Sequence, residues 1–239
     1  MPYEIVHRIT GPGYYGGALK GDLLSELMWK KIVAEGFNNE WGLEDAIVVA
    51  DGSGSMYSHA SGSTSVLAIE ICNSLAIYFA EQLKGVFHNK AITFSGHPQF
   101  IDLKDNTSLK DKLEIMYAHD EISNTNIEAV FDLILEMAKS KNVPREELPK
   151  QVLVISDMEF DTATKRDYRG NSHWAPANEA LFETIEKKYK EVKTPITFAC
   201  IREVEVTGRP VISFGPKEER IDPIEYVKKV DDLLEHKMH

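Results

Sequence analysis

Residues 46–56, AIVVADGSGSM, constrain this chain more than any other stretch. The apolar run, with one isoleucine and two valines, reads as a buried strand. It stops at Asp51, and Gly52-Ser53-Gly54-Ser55-Met56 follow. Glycines alternating with serines let the backbone turn tightly while both hydroxyls stay on one side. One carboxylate and two hydroxyls then converge at the C-terminal tip of a strand, where open α/β sheets bind ligands. The donors are all oxygen, the type a hard divalent cation takes. A carboxylate buried at such a tip needs a compensating partner, and a cation supplies one.

The rest of the chain supplies a frame for that strand. Residues 22–36 place Leu24, Leu27, Met28 and Ile32 at helical spacing, between Asp22 as N-cap and Gly36 as C-cap. A helix docked through that stripe is expected. Residues 65–83 are apolar almost all round, as in a helix buried on most sides. Segments 90–95 and 98–103, joined at Gly96-His97, read as a hairpin. Residues 108–119 read as a short amphipathic helix. The next helix carries Ile127, Val130, Phe131, Ile134 and Leu135 on one stripe. Thr125 stands three residues before Glu128, which is the spacing of a capping box.

QVLVISD (151–157) is a second buried strand, ending in Asp157. The long polar connection after it offers Glu159, Asp161, His173 and Trp174 as rim contacts, with solvated loop positions as the plainer reading. A helix over 177–190, a strand at 195–200, an edge strand at 210–214 and a last helix opened by Asp222-Pro223 complete the tally. This order predicts an α/β fold: a doubly wound, mostly parallel sheet with one antiparallel edge strand and helices on both faces. The domain is expected over 44–239. Residues 1–43 are expected to be a lead-in with one helix packing on it, continuing from a preceding domain of a longer relative.

Composition excludes several classes. The formal net charge of −11 over 239 residues argues against a general nucleic-acid surface, because phosphate affinity rests on Lys and Arg. Cys72 and Cys200 fall in a predicted helix and a predicted strand, and read as small buried apolar residues rather than a disulfide framework. No signal peptide and no membrane-length apolar run is seen, so a reducing, cytoplasmic setting is expected. Gly11 to Gly16 matches GxGxxG literally, but Pro12 and the lack of a strand–helix setting make it a poor phosphate cradle.

Asp51, Ser53 and Ser55 spell DxSxS; Thr125 follows in a loop before a helix, and Asp157 at the end of a later strand. This set resembles the metal-ion-dependent adhesion site of von Willebrand factor A (VWA) domains. VVADGSGSM, ITFSGHPQF, SNTNIEAVFDLILEMA and LVISDMEFD are similar in particular to intracellular VWA proteins of the TROVE/Ro group, over about residues 40–200. The resemblance implies a metal site of Asp51, Ser53, Ser55, Thr125 and Asp157, with an acidic side chain of a protein partner filling the open coordination position. Mg²⁺ suits few carboxylates and retained waters, with Mn²⁺ and Ca²⁺ as alternatives; zinc does not suit a motif without Cys or His.

Ro proteins bind small RNAs through a helical-repeat domain absent from this chain, so RNA is expected only indirectly. One alternative is therefore a component of a Ro-like ribonucleoprotein whose RNA-binding part lies outside this chain. Another is a metal-dependent hydrolase. Catalysis is not expected: the motif segments hold no Lys, Arg or His, and Ser53 stands where an aspartyl phosphatase would place a second Asp.

Overall fold

The computed structural model describes residues 2–11, 17–36, 46–60, 65–120, 127–144, 147–149, 151–156, 201–205 and 213–214. The helices are α1 (Pro2–Thr10), α2 (Leu23–Glu35), α3 (Ala68–Gln82), α4 (Leu109–Ala118) and α5 (Ile127–Ser140). The strands are β1 (Ala46–Ala50), β2 (Lys90–Thr93), β3 (Phe100–Asp102), β4 (Gln151–Ser156), β5 (Ile201–Glu205) and β6 (Ser213–Phe214). They form one sheet in the order β3-β2-β1-β4-β5-β6. β2, β1, β4 and β5 run parallel, and β3 returns antiparallel on β2 as the short turn after β2 requires. β6 pairs antiparallel with β5 at the other edge. The architecture is the doubly wound α/β sheet that the element order predicts.

Side-chain alternation divides the core into two layers. Ile47 and Val49 of β1, Ile92 of β2, and Val152 and Val154 of β4 pack on α5 through Val130, Phe131, Ile134 and Leu135. Val48, Ala50, Ala91, Leu153 and Ile155 face the opposite way, onto a layer built from α1, α3 and α4. β1 is apolar on both faces because helices cover both. β5 at Ile201–Glu205 is in register with β4 from Val152↔Ile201; the strand expected at 195–200 lies outside the described residues.

The N-terminal segment holds two helices rather than one. Ile5, Val6 and Ile9 of α1 are buried in the same cluster as Ile69, Cys72 and Ala76 of α3. Gly11, at φ +77°, ends α1, and its N–H donates to the His7 carbonyl at 2.8 Å. The first glycine of the literal GxGxxG is thus a helix terminator.

α2 is capped as expected: the Asp22 carboxylate accepts from the Ser25 N–H at 2.9 Å and from its hydroxyl at 2.8 Å. Its buried face, however, is not the expected stripe. Leu24, Leu27 and Met28 are exposed, Ile32 of the stripe packs partly buried on the core, and Ser25 and Trp29 are buried. Polar anchors set the rotation: Trp29 Nε1 donates to Glu81 at 2.9 Å, Gln82 Nε2 to the Val33 carbonyl at 3.2 Å, and the Leu109 N–H to Glu26 at 2.9 Å. Trp29 also sets its ring edge-on to Tyr78, 6.4 Å between centroids. Leu27→Ser is therefore expected to change folding stability by no more than about 0.5 kcal/mol in denaturant titrations. A loss of about 2 kcal/mol or more would mean that the leucine stripe is the packed one.

Candidate metal centre

The sheet positions the motif through its parallel ladder. The Asp51 N–H donates to the Ile155 carbonyl at 3.0 Å, and the Phe94 N–H to the Ala50 carbonyl at 2.8 Å, so β1 stays paired on both sides up to its last residue. β1 connects to β2 on one side and pairs with β4 on the other. The crevice between the carboxyl ends of β1 and β4 is thus the switch point at which open α/β sheets hold ligands.

Asp51 sits in that crevice, 2 % exposed. Its Oδ1 accepts the Ser53 N–H at 2.8 Å, which folds the motif back on itself, and its Oδ2 accepts the Ser156 hydroxyl at 2.5 Å. Ser156 is a contributor the sequence reading did not single out. Its signal was its place beside Asp157 at the end of the strand paired with β1. The Cys72 thiol of α3 lies 3.6 Å from the Asp51 carbonyl and 3.5 Å from that of Ile155, sealing the crevice floor. Cys72 is fully buried, in keeping with its reading as a small apolar residue.

Gly54–Tyr57 form one turn of 3₁₀ helix after the motif's bend. This turn brings the Ser53 and Ser55 hydroxyls to 3.0 Å from each other. Both serines are partly exposed, whereas Met56 points into the core. The two glycines differ in what they do. A Cβ on Gly52 would come within 2.8 Å of Asp120 Oδ1 and 3.1 Å of the Asp120 Cα, so only a residue without a side chain fits there. A Cβ on Gly54 would meet nothing within 4 Å.

Asp120, just past the end of α4, is the second carboxylate at this centre and was also missed. The Tyr57 hydroxyl donates to its Oδ2. Burial pushes the Asp120 carboxyl up to about 6; the Tyr57 hydrogen bond opposes the rise, the Asp51 charge adds to it and His119 works against it. His59, His119 and His173 are the histidines of the connections around the motif segments. His59 is exposed and makes a backbone bridge to Leu67. The His119 ring Nδ1 bonds the Ile115 carbonyl at 2.8 Å. His173 lies outside the described residues.

Of the five expected ligands, Asp51, Ser53 and Ser55 come together at one strand tip. Thr125 and Asp157 lie outside the described residues. So do Glu159, Asp161 and Trp174. Among the described residues no three His, Cys, Asp or Glu side chains gather in one place. The donors at hand are a buried carboxylate, two adjacent hydroxyls and a second carboxylate against the turn. This all-oxygen set fits a hard divalent cation, and its chemistry does not suit zinc. Among the described residues no helix is long and apolar enough to cross a membrane.

Comparison with known proteins adds kinship without chemistry. Uncharacterized protein L728 of Acanthamoeba polyphaga mimivirus is 27 % identical over 161 residues, which cover 67 % of this chain and 25 % of the viral protein. The chain thus spans about a quarter of that relative's length. The crystal structure of an uncharacterized membrane spanning protein from Vibrio fischeri is 12 % identical, covers 80 % of this chain and 97 % of its own, and superposes with a TM-score of 0.28, too loosely to bear on the fold. A family model described as a domain of unknown function, DUF7788, matches residues 45–195, from the start of the central strand past the second motif-bearing one, and the chain belongs to that family.

Proposed function

We propose that this chain is a divalent-metal-dependent protein-interaction module of the VWA kind, in which an ion bound at the tip of β1 captures an acidic group of a partner protein. The observation that carries the reading is the convergence of the buried Asp51 carboxylate with the Ser53 and Ser55 hydroxyls, 3.0 Å apart, at the switch point of a doubly wound sheet. Asp51, Ser53 and Ser55 would hold the ion, with Thr125 and Asp157 as the remaining ligands the motif calls for. Mg²⁺ is the preferred ion, with Mn²⁺ and Ca²⁺ as alternatives.

Bound there, the ion supplies an under-neutralised positive charge for a carboxylate to meet. Neutral hydroxyls lend it oxygen without cancelling its charge, and that leaves it attractive to an acidic side chain. Residues 51–57 contain no Lys, Arg or His, which favours capture over turnover.

The test is calorimetric titration of Mg²⁺, Mn²⁺ and Ca²⁺ into chelator-treated protein, followed by capture of an acidic peptide with and without chelator. Saturable one-site binding and chelator-sensitive capture are expected. No heat and no thermal shift with any of the three ions would overturn the metal-dependent reading.

A further inference from the structure

The candidate metal centre contains one carboxylate that its motif does not call for. Asp120 comes from the end of α4, packs against the backbone of Gly52 in the middle of the motif, and is held on its far oxygen by the hydroxyl of Tyr57 from the same motif turn. Gly52 adjoins the buried Asp51 in the chain, so the two carboxylates stand at one corner of the fold. In the metal-free fold this arrangement is a local conflict: two like charges share a poorly solvated corner. Conflicts of this kind gather at functional sites, where a ligand resolves them. A neutral side chain of the same shape would still accept the Tyr57 hydrogen bond, without the strength a charged acceptor adds.

We propose that Asp120 is the positioning and affinity-setting residue of this centre: a second carboxylate, fixed by Tyr57, that acts on the ion through the ion's bound water. The inference rests on the metal-binding reading above. Asp51 then carries the direct charge, Ser53 and Ser55 lend neutral oxygens, and Asp120 strengthens retention of the ion without taking its open position. Outer partners of this type typically carry 10–100-fold of a site's metal affinity. Gly52 is explained on the same terms, because a side chain there would push Asp120 off the turn.

The experiment compares the parent, Asp120→Asn and Tyr57→Phe, each chelator-treated, in thermal unfolding without metal and in calorimetric titration with Mg²⁺ alone and Mn²⁺ alone. For Asp120→Asn the two readouts should move in opposite senses. Its metal-free melting temperature equals or exceeds the parent's, because the like charge is gone, while its affinity for both ions falls about 10-fold or more. Tyr57→Phe, which keeps the charge but frees it, should lose affinity to a smaller extent, about 3-fold.

Asp120→Asn binding both ions as tightly as a parent that binds them would overturn the role of Asp120 and leave the Asp51 centre standing. A lower metal-free melting temperature with unchanged affinity would overturn it as well, in favour of a purely structural carboxylate. Should Asp120→Asn fail to fold, full affinity in Tyr57→Phe would count against the proposal and a loss would support it. A parent that binds no ion would remove both readings together.

Discussion

Asp51→Ala is expected to abolish saturable binding of Mg²⁺ and Mn²⁺, and with it any thermal shift produced by either ion. The expected loss is at least about 100-fold, beyond what outer partners of a metal carry, because Asp51 is the buried charge of the site and the serines supply only neutral oxygens. In the parent, an ion at 100 times its dissociation constant adds about 2.7 kcal/mol to stability, or roughly 5–10 °C for a domain of this size. That shift should vanish in the variant.

The alanine also removes the acceptor of the Ser53 N–H and of the Ser156 hydroxyl. Leaving those donors unpaired costs about 1–3 kcal/mol each at most. Relief of the charge opposition with Asp120 offsets part of this. Asp51→Asn separates the two effects. Its side-chain oxygen still accepts from Ser53, so the turn and the fold persist, yet the charge is gone and binding should be lost as fully as in the alanine variant. Retention of tight, saturable binding in a folded Asp51→Asn protein would rule out an ion at this position.

The fold was legible where apolar patterning and chain order act alone. AIVVA and QVLVIS are continuous apolar runs because helices cover both faces of the strands they form, and their shortness and β-branched content favour strand over helix. The convergence of Asp51, Ser53 and Ser55 was legible because a strand, a carboxylate and a Ser-Gly turn are contiguous in sequence. The members brought in from elsewhere were not. Asp120 reaches Tyr57 of the turn from 63 residues on, and Tyr57 is singled out only by what it touches. Ser156 differs from any strand-end serine only through its bond to Asp51.

α2 failed for a related reason. Spacing alone gives a stripe of leucines, while the rotation is decided by Trp29 finding Glu81 across the domain. α1 was hidden because its three inward residues, Ile5, Val6 and Ile9, are embedded in a segment that reads as an irregular lead-in. Its helical character emerges from the surface of α3 on which it lies.

That surface carries the second large effect. Glu70 of α3 is fully buried, and its carboxylate accepts from the Leu67 N–H at 2.8 Å, as the third residue of a helix can. The same carboxylate meets His7 Nδ1 at 3.0 Å and takes the Thr10 hydroxyl, both from α1. Tyr117 of α4 lies close enough for the Glu70 charge to add to the upward push that burial gives its hydroxyl. One side chain thus starts α3 and fastens α1 to it. Glu70→Ala takes an acceptor from the Leu67 N–H and from His7 Nδ1, while the part-buried Thr10 hydroxyl keeps the Val6 and His7 carbonyls, so a loss of about 2–3 kcal/mol is expected. Glu70→Gln keeps an oxygen for the Leu67 N–H but turns an amide toward α1, so about 1–2 kcal/mol is expected.

The loss should be concentrated on α1. In Glu70→Ala, the backbone after Arg8 should become open to trypsin under native conditions, because the helix then depends on the burial of Ile5, Val6 and Ile9 and on the exposed Arg8–Asp22 pair. A double-mutant cycle with His7→Ala should return a coupling of about 1–3 kcal/mol. If Glu70→Ala unfolds within about 0.5 kcal/mol of the parent and Arg8 stays protected, the buried carboxylate does not fasten α1, and apolar burial alone holds that helix to the domain.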